Sequence, residues 1–203
     1  NHSPNTTPNQ NQPTATHITD DDPLQKYLED QNEIMSDMME DMETEPSGNA
    51  AVDFLKGMIP HHESAIEMSE SYLEHGGTNN ELKEMAKNII QVQKKEIEEM
   101  DHLIQKIEDT GETDSQKEQK YLDAYQKMMS SHQNMNHTAS NAQDVEQAFA
   151  NGMIMHHQMA VEMSRIILDN TEQKDVRDLA QSIITAQEKE IEQMRKITDK
   201  NPD

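Results

Sequence analysis

Apolar residues recur every three to four positions along three stretches of the first half of the chain, with polar residues between them. This spacing predicts three amphipathic helices, because a helix turns about 100° per residue and gathers such positions on one face. The helices are expected over residues 24–42, 50–74 and 78–110. A Pro-Ser-Gly turn at residues 46–48 ends the first, and Gly76-Gly77 ends the second. Thr78 and Glu81 have capping-box spacing and are expected to begin the third.

The second half of the chain repeats this pattern. The segment FLKGMIPHHESAIEMS, which begins at Phe54, reappears as FANGMIMHHQMAVEMS from Phe149. Blocks before and after it also match, so each of three blocks corresponds to one helix. The helices of the second copy are expected over residues 116–135, 144–169 and 173–198. No stretch alternates apolar and polar residues as a strand would, and the chain is therefore predicted to be all-α, with two homologous helical repeats packed together.

These helices divide the chain into three parts. Residues 1–22 combine prolines with Asn, Thr and Gln and hold almost nothing apolar, which indicates a flexible N-terminal tether. Residues 23–112 form the first helical repeat, and residues 113–203 form the second. A polar leader of this kind suits a protein whose signal or lipid anchor has been removed, so we expect a secreted, periplasmic or cell-surface protein.

The composition at first argues against a folded core. Leu, Ile, Val and Phe together supply 32 of the 203 residues, and the net charge is -23. A chain of this kind is typically disordered. Methionine changes this interpretation, because the chain holds 16 Met but only 9 Leu. Much of the apolar surface is therefore thioether, at positions that recur with helical period.

The charge and the missing residue types exclude several functions. A net charge of -23 repels nucleic acid, whose binding depends on Lys and Arg. The chain has no Cys, so it offers no thiolate as nucleophile or ligand. No apolar run approaches the roughly 20 residues that a membrane-spanning helix needs. Any soft-metal site in this protein must therefore use Met and His.

The second helix of each repeat carries a pair of adjacent histidines. Met58 lies one turn before His61 and Met68 two turns after it, so these side chains can share one face. His61 and His62 are expected on opposite shoulders of the buried stripe. The second repeat supplies Met153, His156, His157, Met159 and Met163. Neutral imidazoles together with thioethers favour a soft ion such as copper(I), and silver would satisfy the same ligands.

The first helix of each repeat offers a second set of thioethers. The residues at helical spacing are Met35, Met38, Met39 and Met42 in the first repeat and Met128, Met129, His132 and Met135 in the second. Alignment of the repeats places His132 opposite Met38, an exchange that copper(I) accepts and zinc does not. The candidate ligands from these helices are Met35, Met38, Met128, His132 and Met135.

Each of these patterns also has a purely structural interpretation. A Met stripe at helical spacing is typical of a core, since Met fills irregular gaps. A buried His can be satisfied by a hydrogen bond instead of a metal. The acidic residues of the third helices are expected to form a solvated face; they are Glu96, Glu98, Glu99, Glu188, Glu190 and Glu192.

The signature G-M-I-x-H-H-x-x-A-x-E-M-S begins at Gly57 and again at Gly152. It resembles the family known as domain of unknown function 305, and the resemblance extends from Leu24 to Thr198. The resemblance implies a ferritin-like helical bundle of a family that is usually exported, some members of which are implicated in periplasmic or surface copper and silver binding through Met and His. The positions that match the motif are Met58, His61, His62, Met68, Met153, His156, His157 and Met163.

Three functions are compatible with these features. We prefer a non-enzymatic protein that sequesters copper(I) or transfers it to a delivery partner, because this explains the Met excess, the His pairs and the lack of Cys. The second is a structural or partner-binding bundle with Met-rich faces. The third is a di-iron oxidase, which needs a Glu-x-x-His motif from each of two helices, whereas only Glu99 and His102 have that spacing. Because Met159 replaces Ser64, we expect the second repeat to bind more tightly.

Overall fold

The computed structural model describes residues 22–133 and 141–199, which form six α-helices and no strand. The helices are α1 Pro23–Asp41, α2 Ala50–His75, α3 Asn80–Thr110, α4 Ser115–Ser131, α5 Val145–Leu168 and α6 Lys174–Asp199. The predicted all-α fold of two homologous helical repeats is confirmed. Every helix begins and ends within about two residues of the predicted position, except at the end of α4.

An Asp or Asn side chain caps each of the first five helices by accepting a backbone N–H that the first turn leaves free. The caps are Asp22, Asn49, Asn79, Asp114 and Asp144. The capping box predicted for the third helix is wrong. Asn79 caps α3 by accepting from the Leu82 N–H, whereas the Thr78 hydroxyl donates to Glu146 of α5. A contact with the other repeat thus removes Thr78 from the capping role.

The predicted extension of the fourth helix to residue 135 is also wrong. α4 ends at Ser131, and His132 takes a non-helical backbone conformation as its C-cap. The His132 ring lies against α5, with 3.0 Å between its Nε2 and Glu162 Oε2. The Met spacing alone could not predict this end, because the contact is made with a different helix.

The second helices of the two repeats, α2 and α5, pack against each other at the centre of the molecule. The first helix of each repeat also contacts the second helix of the other, and a glycine lies at each crossing. A Cβ at Gly57 would lie 3.3 Å from Tyr125 Oη of α4. A Cβ at Gly152 would lie 2.6 Å from Gln31 Oε1 of α1. The buried side chains of both repeats consequently form one continuous cluster.

Methionine supplies much of this buried cluster. Thirteen Met are buried in the part of the chain that the structure describes, compared with four Leu. The core is therefore rich in polarizable sulfur, as the composition predicts. None of the described helices has an apolar stretch long enough to cross a bilayer.

A carboxyl pair joins the start of α2 to the start of α4. Asp53 is 4% exposed, accepts from the Ser47 N–H at 2.8 Å and has the carboxyl group of Glu118 as a neighbour. Glu118 in turn accepts from the Gly48 N–H at 2.6 Å. Burial, and then the neighbouring Glu118, raises the pKa of Asp53 to about 7. One of the two carboxyl groups therefore holds a proton when the protein is folded at mildly acidic pH.

We expect Asp53→Asn to stabilise the protein above neutral pH by about 2 kcal/mol relative to wild type. The folded wild type binds a proton between pH 4 and 7 that the unfolded chain has lost. Its stability therefore falls as pH rises through this window and levels off above the folded pKa. Denaturant unfolding at pH 5 and pH 8 measures the difference, with the exposed Asp123→Asn as control. If the free energy of unfolding depended on pH equally in wild type and in Asp53→Asn, the prediction would be contradicted.

Candidate metal centre

Four histidines lie side by side at the central contact between α2 and α5. His61, His62, His156 and His157 are all fully buried. The ring centroids of His61 and His156 are 3.6 Å apart, with the rings stacked at 22°. His62 lies 6.4 Å from His61, and His157 lies 6.2 Å from His156. The two predicted histidine pairs thus form a single row that crosses from one repeat to the other.

The inner pair of this row is held by neutral oxygen acceptors. His61 Nε2 lies 2.9 Å from the backbone oxygen of His156. A carbonyl only accepts, so the Nε2 of His61 carries the hydrogen. The Ser64 hydroxyl donates to the His61 carbonyl at 2.6 Å, which leaves its oxygen to accept from His156 Nε2 at 2.7 Å. Both inner imidazoles therefore have their proton on Nε2.

The outer pair is held by carboxylates from the third helices. His62 Nε2 lies 2.8 Å from Glu96 Oε1, and His157 Nε2 lies 2.7 Å from Glu190 Oε1. The prediction that Glu96 and Glu190 belong to a solvated face is therefore wrong. These two side chains are only 16% and 15% exposed, because each turns inward to accept an imidazole N–H that burial removes from water.

In all four imidazoles the same ring nitrogen, Nδ1, is consequently left without a hydrogen bond to any described residue. The Nδ1 atoms of His61, His62, His156 and His157 are buried and have no hydrogen-bond partner among the described residues. Burial, followed by the neighbouring imidazoles, lowers the pKa of His61 and of His156 well below the usual value for histidine. Both inner rings are therefore neutral at pH 7, with a lone pair on Nδ1. A neutral imidazole nitrogen is a metal ligand.

The thioethers predicted from the second helices lie on the same two helices as this row of rings. Met58 and Met153 each lie one turn before a histidine pair, and Met159 lies one turn after His156. These residues, together with Met68 and Met163, are fully buried. The Met163 methyl would lie 3.6 Å from a Cβ at Gly57, so this side chain from α5 reaches the helix of the other repeat. Imidazole nitrogen and thioether sulfur are thus both buried from water on the two central helices.

The candidates from the first helices are divided between two environments. Met35, Met38 and Met128 are buried in the common core. His132 is only partly buried and is bonded to the half-exposed Glu162 near the surface. Met135 lies outside the described residues.

The described residues contain no group of three or more His, Asp or Glu side chains arranged to hold a metal ion. Glu99 and His102, the pair with di-iron spacing, are both exposed. Hard or borderline ions that need several carboxylate and imidazole ligands therefore find no ready site in this part of the chain. An ion bound beside the histidine row with three or more ligands would take sulfur in addition to imidazole nitrogen.

Sequence reasoning missed three residues that organise the row, namely Ser64, Glu96 and Glu190. The repeat gives no signal that singles them out. Glu96 and Glu190 occupy equivalent positions in the two copies, but so do the two exposed glutamates that lie two positions further along. Recurrence alone therefore does not distinguish a glutamate that contacts a histidine from one that faces water. Ser64 does not recur, because Met159 replaces it in the second repeat.

Comparison with known proteins places this arrangement in context. The sequence profile described as "Domain of unknown function (DUF305)" matches residues 6–104 and 51–198. The solved structure "CopM in the Ag-bound form (by soaking)" has 31% identity and a TM-score of 0.56, and the match covers 75% of this chain and 97% of that one. "CopM in the Cu(II)-bound form" has 31% identity and the same TM-score, with 74% and 97% covered.

One further relative is a viral protein of unassigned role. "Uncharacterized protein L153" of Acanthamoeba polyphaga mimivirus is 41% identical over 54 residues. The match covers 27% of this chain and 36% of that protein. It extends the sequence likeness and adds no information on ligands.

Proposed function

This chain belongs to the DUF305 family, and we propose that it binds copper(I), or silver, as a cargo ion through methionine and histidine ligands in its buried core. One observation carries the proposal. Four buried imidazole Nδ1 atoms have no hydrogen-bond partner in the described structure, and the two helices that carry them also carry fully buried thioethers at helical spacing from the histidines. Leaving such nitrogens buried and unpaired costs free energy, which a bound soft ion would recover.

The donor set supports a monovalent soft ion. Thioethers and neutral imidazoles bind copper(I) and silver, whereas zinc and iron sites use thiolates, carboxylates or several imidazoles. The similar CopM structures carry silver in one case and Cu(II) in another, so ions of both metals bind within this architecture. Copper(I) fits the buried sulfur of this chain better than Cu(II) does, because Cu(II) prefers tetragonal nitrogen and oxygen ligands.

The proposal is one of binding, without catalysis, outside the cytoplasm. A net charge of -23 raises the local concentration of cations at the surface and would favour the first encounter with copper. Sequestration and transfer to a delivery partner are both served by such a site. The second repeat is expected to bind more tightly, because the fully buried Met159 adds a thioether where the first repeat has Ser64.

The partner-binding alternative receives less support. Docking through Met-rich faces needs those faces on the surface. Five of the six methionines on the second helices are instead buried, and Met155 is partly buried. Among the described residues, Val92 is the one large apolar side chain that is exposed, at 41%. Most apolar side chains of the described residues therefore pack in the core, and little apolar surface is left exposed for a partner helix to bind.

Anaerobic titration with Cu(I) against a chromophoric chelator tests the proposed function. Wild type is expected to bind at least one ion per repeat. The test variant replaces His61, His62, His156 and His157 with alanine. Its Cu(I) affinity is expected to fall about 100-fold or more, because removing a ligand should cost at least as much as removing a residue that only hydrogen-bonds to a ligand. The exposed His102→Ala serves as matched control. Equal affinity in all three proteins, with folding confirmed by circular dichroism, would refute the proposal.

A further inference from the structure

We propose that Glu96 and Glu190 are positioning residues that orient the outer imidazoles and strengthen their Nδ1 atoms as ligands for a soft ion. The inference rests on the proposed function and deepens it. It assigns different tasks to the four histidines, because only His62 and His157 are backed by a carboxylate. The inner rings are backed by the neutral oxygens described above.

The two contacts are equivalent in the two repeats. The His62–Glu96 and His157–Glu190 distances are 2.8 and 2.7 Å, and both rings are fully buried. Each glutamate belongs to the third helix of its own repeat and reaches the second helix. The repeated geometry in two copies of differing sequence indicates a specific requirement at this position.

The surrounding acidic residues show how unusual this placement is. Glu98 and Glu192, two positions further along, are exposed, and Glu192 pairs with Lys196 at 3.2 Å. Within the described ranges, Glu96 and Glu190 form ion pairs with no Lys or Arg. Lys residues lie on the same helices, yet these two carboxylates contact a buried histidine instead. The hydrogen bond to the imidazole is therefore what stabilises each carboxylate in its partly buried position.

The carboxylate affects the imidazole in two ways. It accepts the Nε2 hydrogen, so the ring keeps one tautomer with the lone pair on Nδ1. It also pushes electron density toward Nδ1, which raises the basicity of that ligand atom. Carboxylates in this outer position are typically worth about 10- to 100-fold in metal affinity. We therefore expect His62 and His157 to contribute more to binding than His61 and His156.

Two pairs of substitutions separate the charge from the hydrogen bond. Glu96→Gln with Glu190→Gln keeps an acceptor and removes the charge, whereas Glu96→Ala with Glu190→Ala removes both. Glu98→Gln with Glu192→Gln is the matched control on the same helices. Long-range proton–nitrogen NMR spectra of the metal-free proteins report the tautomers, and anaerobic competition titration reports Cu(I) affinity.

We expect wild type and the control to show the Nε2–H tautomer at all four histidines. The alanine pair is expected to lose the single tautomer at His62 and His157 only. Affinity is expected to fall about 10-fold in the glutamine pair and up to about 100-fold in the alanine pair. Denaturant unfolding of each variant establishes that the fold is kept.

Two results would overturn the inference. In the first, the tautomers of His62 and His157 are unchanged in the alanine pair. In the second, wild type binds Cu(I) tightly and both pairs stay within about twofold of the control. Failure of wild type to bind Cu(I) would instead refute the proposed function, while the NMR spectra would still decide whether the glutamates orient the rings.

Discussion

The triple variant Met153→Leu, Met159→Leu, Met163→Leu is expected to lose Cu(I) binding in the second repeat, with a fall of about 100-fold or more in affinity for the ions held there. Leucine nearly matches methionine in volume, and each exchange usually costs less than about 1.5 kcal/mol. The fold should therefore survive while the sulfur ligands disappear. Anaerobic competition titration measures the number of tight ions and their affinity in the triple variant and in wild type.

A control variant that also replaces three buried methionines with leucine tests whether the loss of Cu(I) binding is specific to the proposed ligands. Met85, Met100 and Met194 are buried on α3 and α6, outside the candidate set, and their replacement by leucine should leave Cu(I) affinity within about twofold of wild type. Met58→Leu with Met68→Leu should remove binding in the first repeat and spare the second. Equal affinities in the triple variant and the control would show that these methionines act only as core.

Phe149→Ala is expected to reduce the free energy of unfolding by about 3–5 kcal/mol, the largest stability effect of a single substitution that we predict. Phe149 of α5 is fully buried and stacks on Tyr72 of α2, with centroids 4.4 Å apart. It also meets Tyr27 of α1 edge-on at 6.5 Å. The substitution therefore removes two aromatic contacts with the first repeat. Urea unfolding followed by circular dichroism measures the loss.

The equivalent residue in the first repeat provides the comparison. Phe54 is equally buried but forms no aromatic pair among the described residues, so Phe54→Ala should cost about 1 kcal/mol less. Because Phe149 belongs to the second repeat and packs on two aromatic rings of the first, its loss should lower the stability of both repeats in one transition. A two-step curve in which only half of the helical signal is affected would show that the repeats unfold independently, contrary to this expectation.

The periodic pattern of apolar residues was sufficient to predict the helices. It predicts six helices and their order because each helix must bury one face, and burial leaves a regular trace in the sequence. The two errors in helix ends, at Thr78 and after Ser131, have the same origin. In both places a side chain bonds to a residue of α5, and contacts between distant segments leave no periodic trace.

The candidate site was predictable in its residue types and incomplete in its organisation. The His pairs and the neighbouring methionines stand out because they recur at fixed spacing in both copies. Their spacing suggests one site in each repeat. The structure instead stacks His61 on His156 at 3.6 Å, so the two sets of ligands adjoin across the central contact. Helical spacing cannot predict this, because it describes one helix and not the crossing of two.

The linear sequence is enough to specify the all-α repeats, the thioether-rich core and the histidine pairs, since each depends on residue type and local periodicity. The packing of α2 against α5 establishes which imidazoles meet. The packing of α3 on α2 and of α6 on α5 establishes which glutamates leave the surface. Together these contacts establish which nitrogen of each ring carries the proton. These features depend on side chains about 30 to 100 positions apart in the chain, where hydrogen bonds form only after the helices are packed. Folding thus converts two similar sequence repeats into one continuous set of potential ligands.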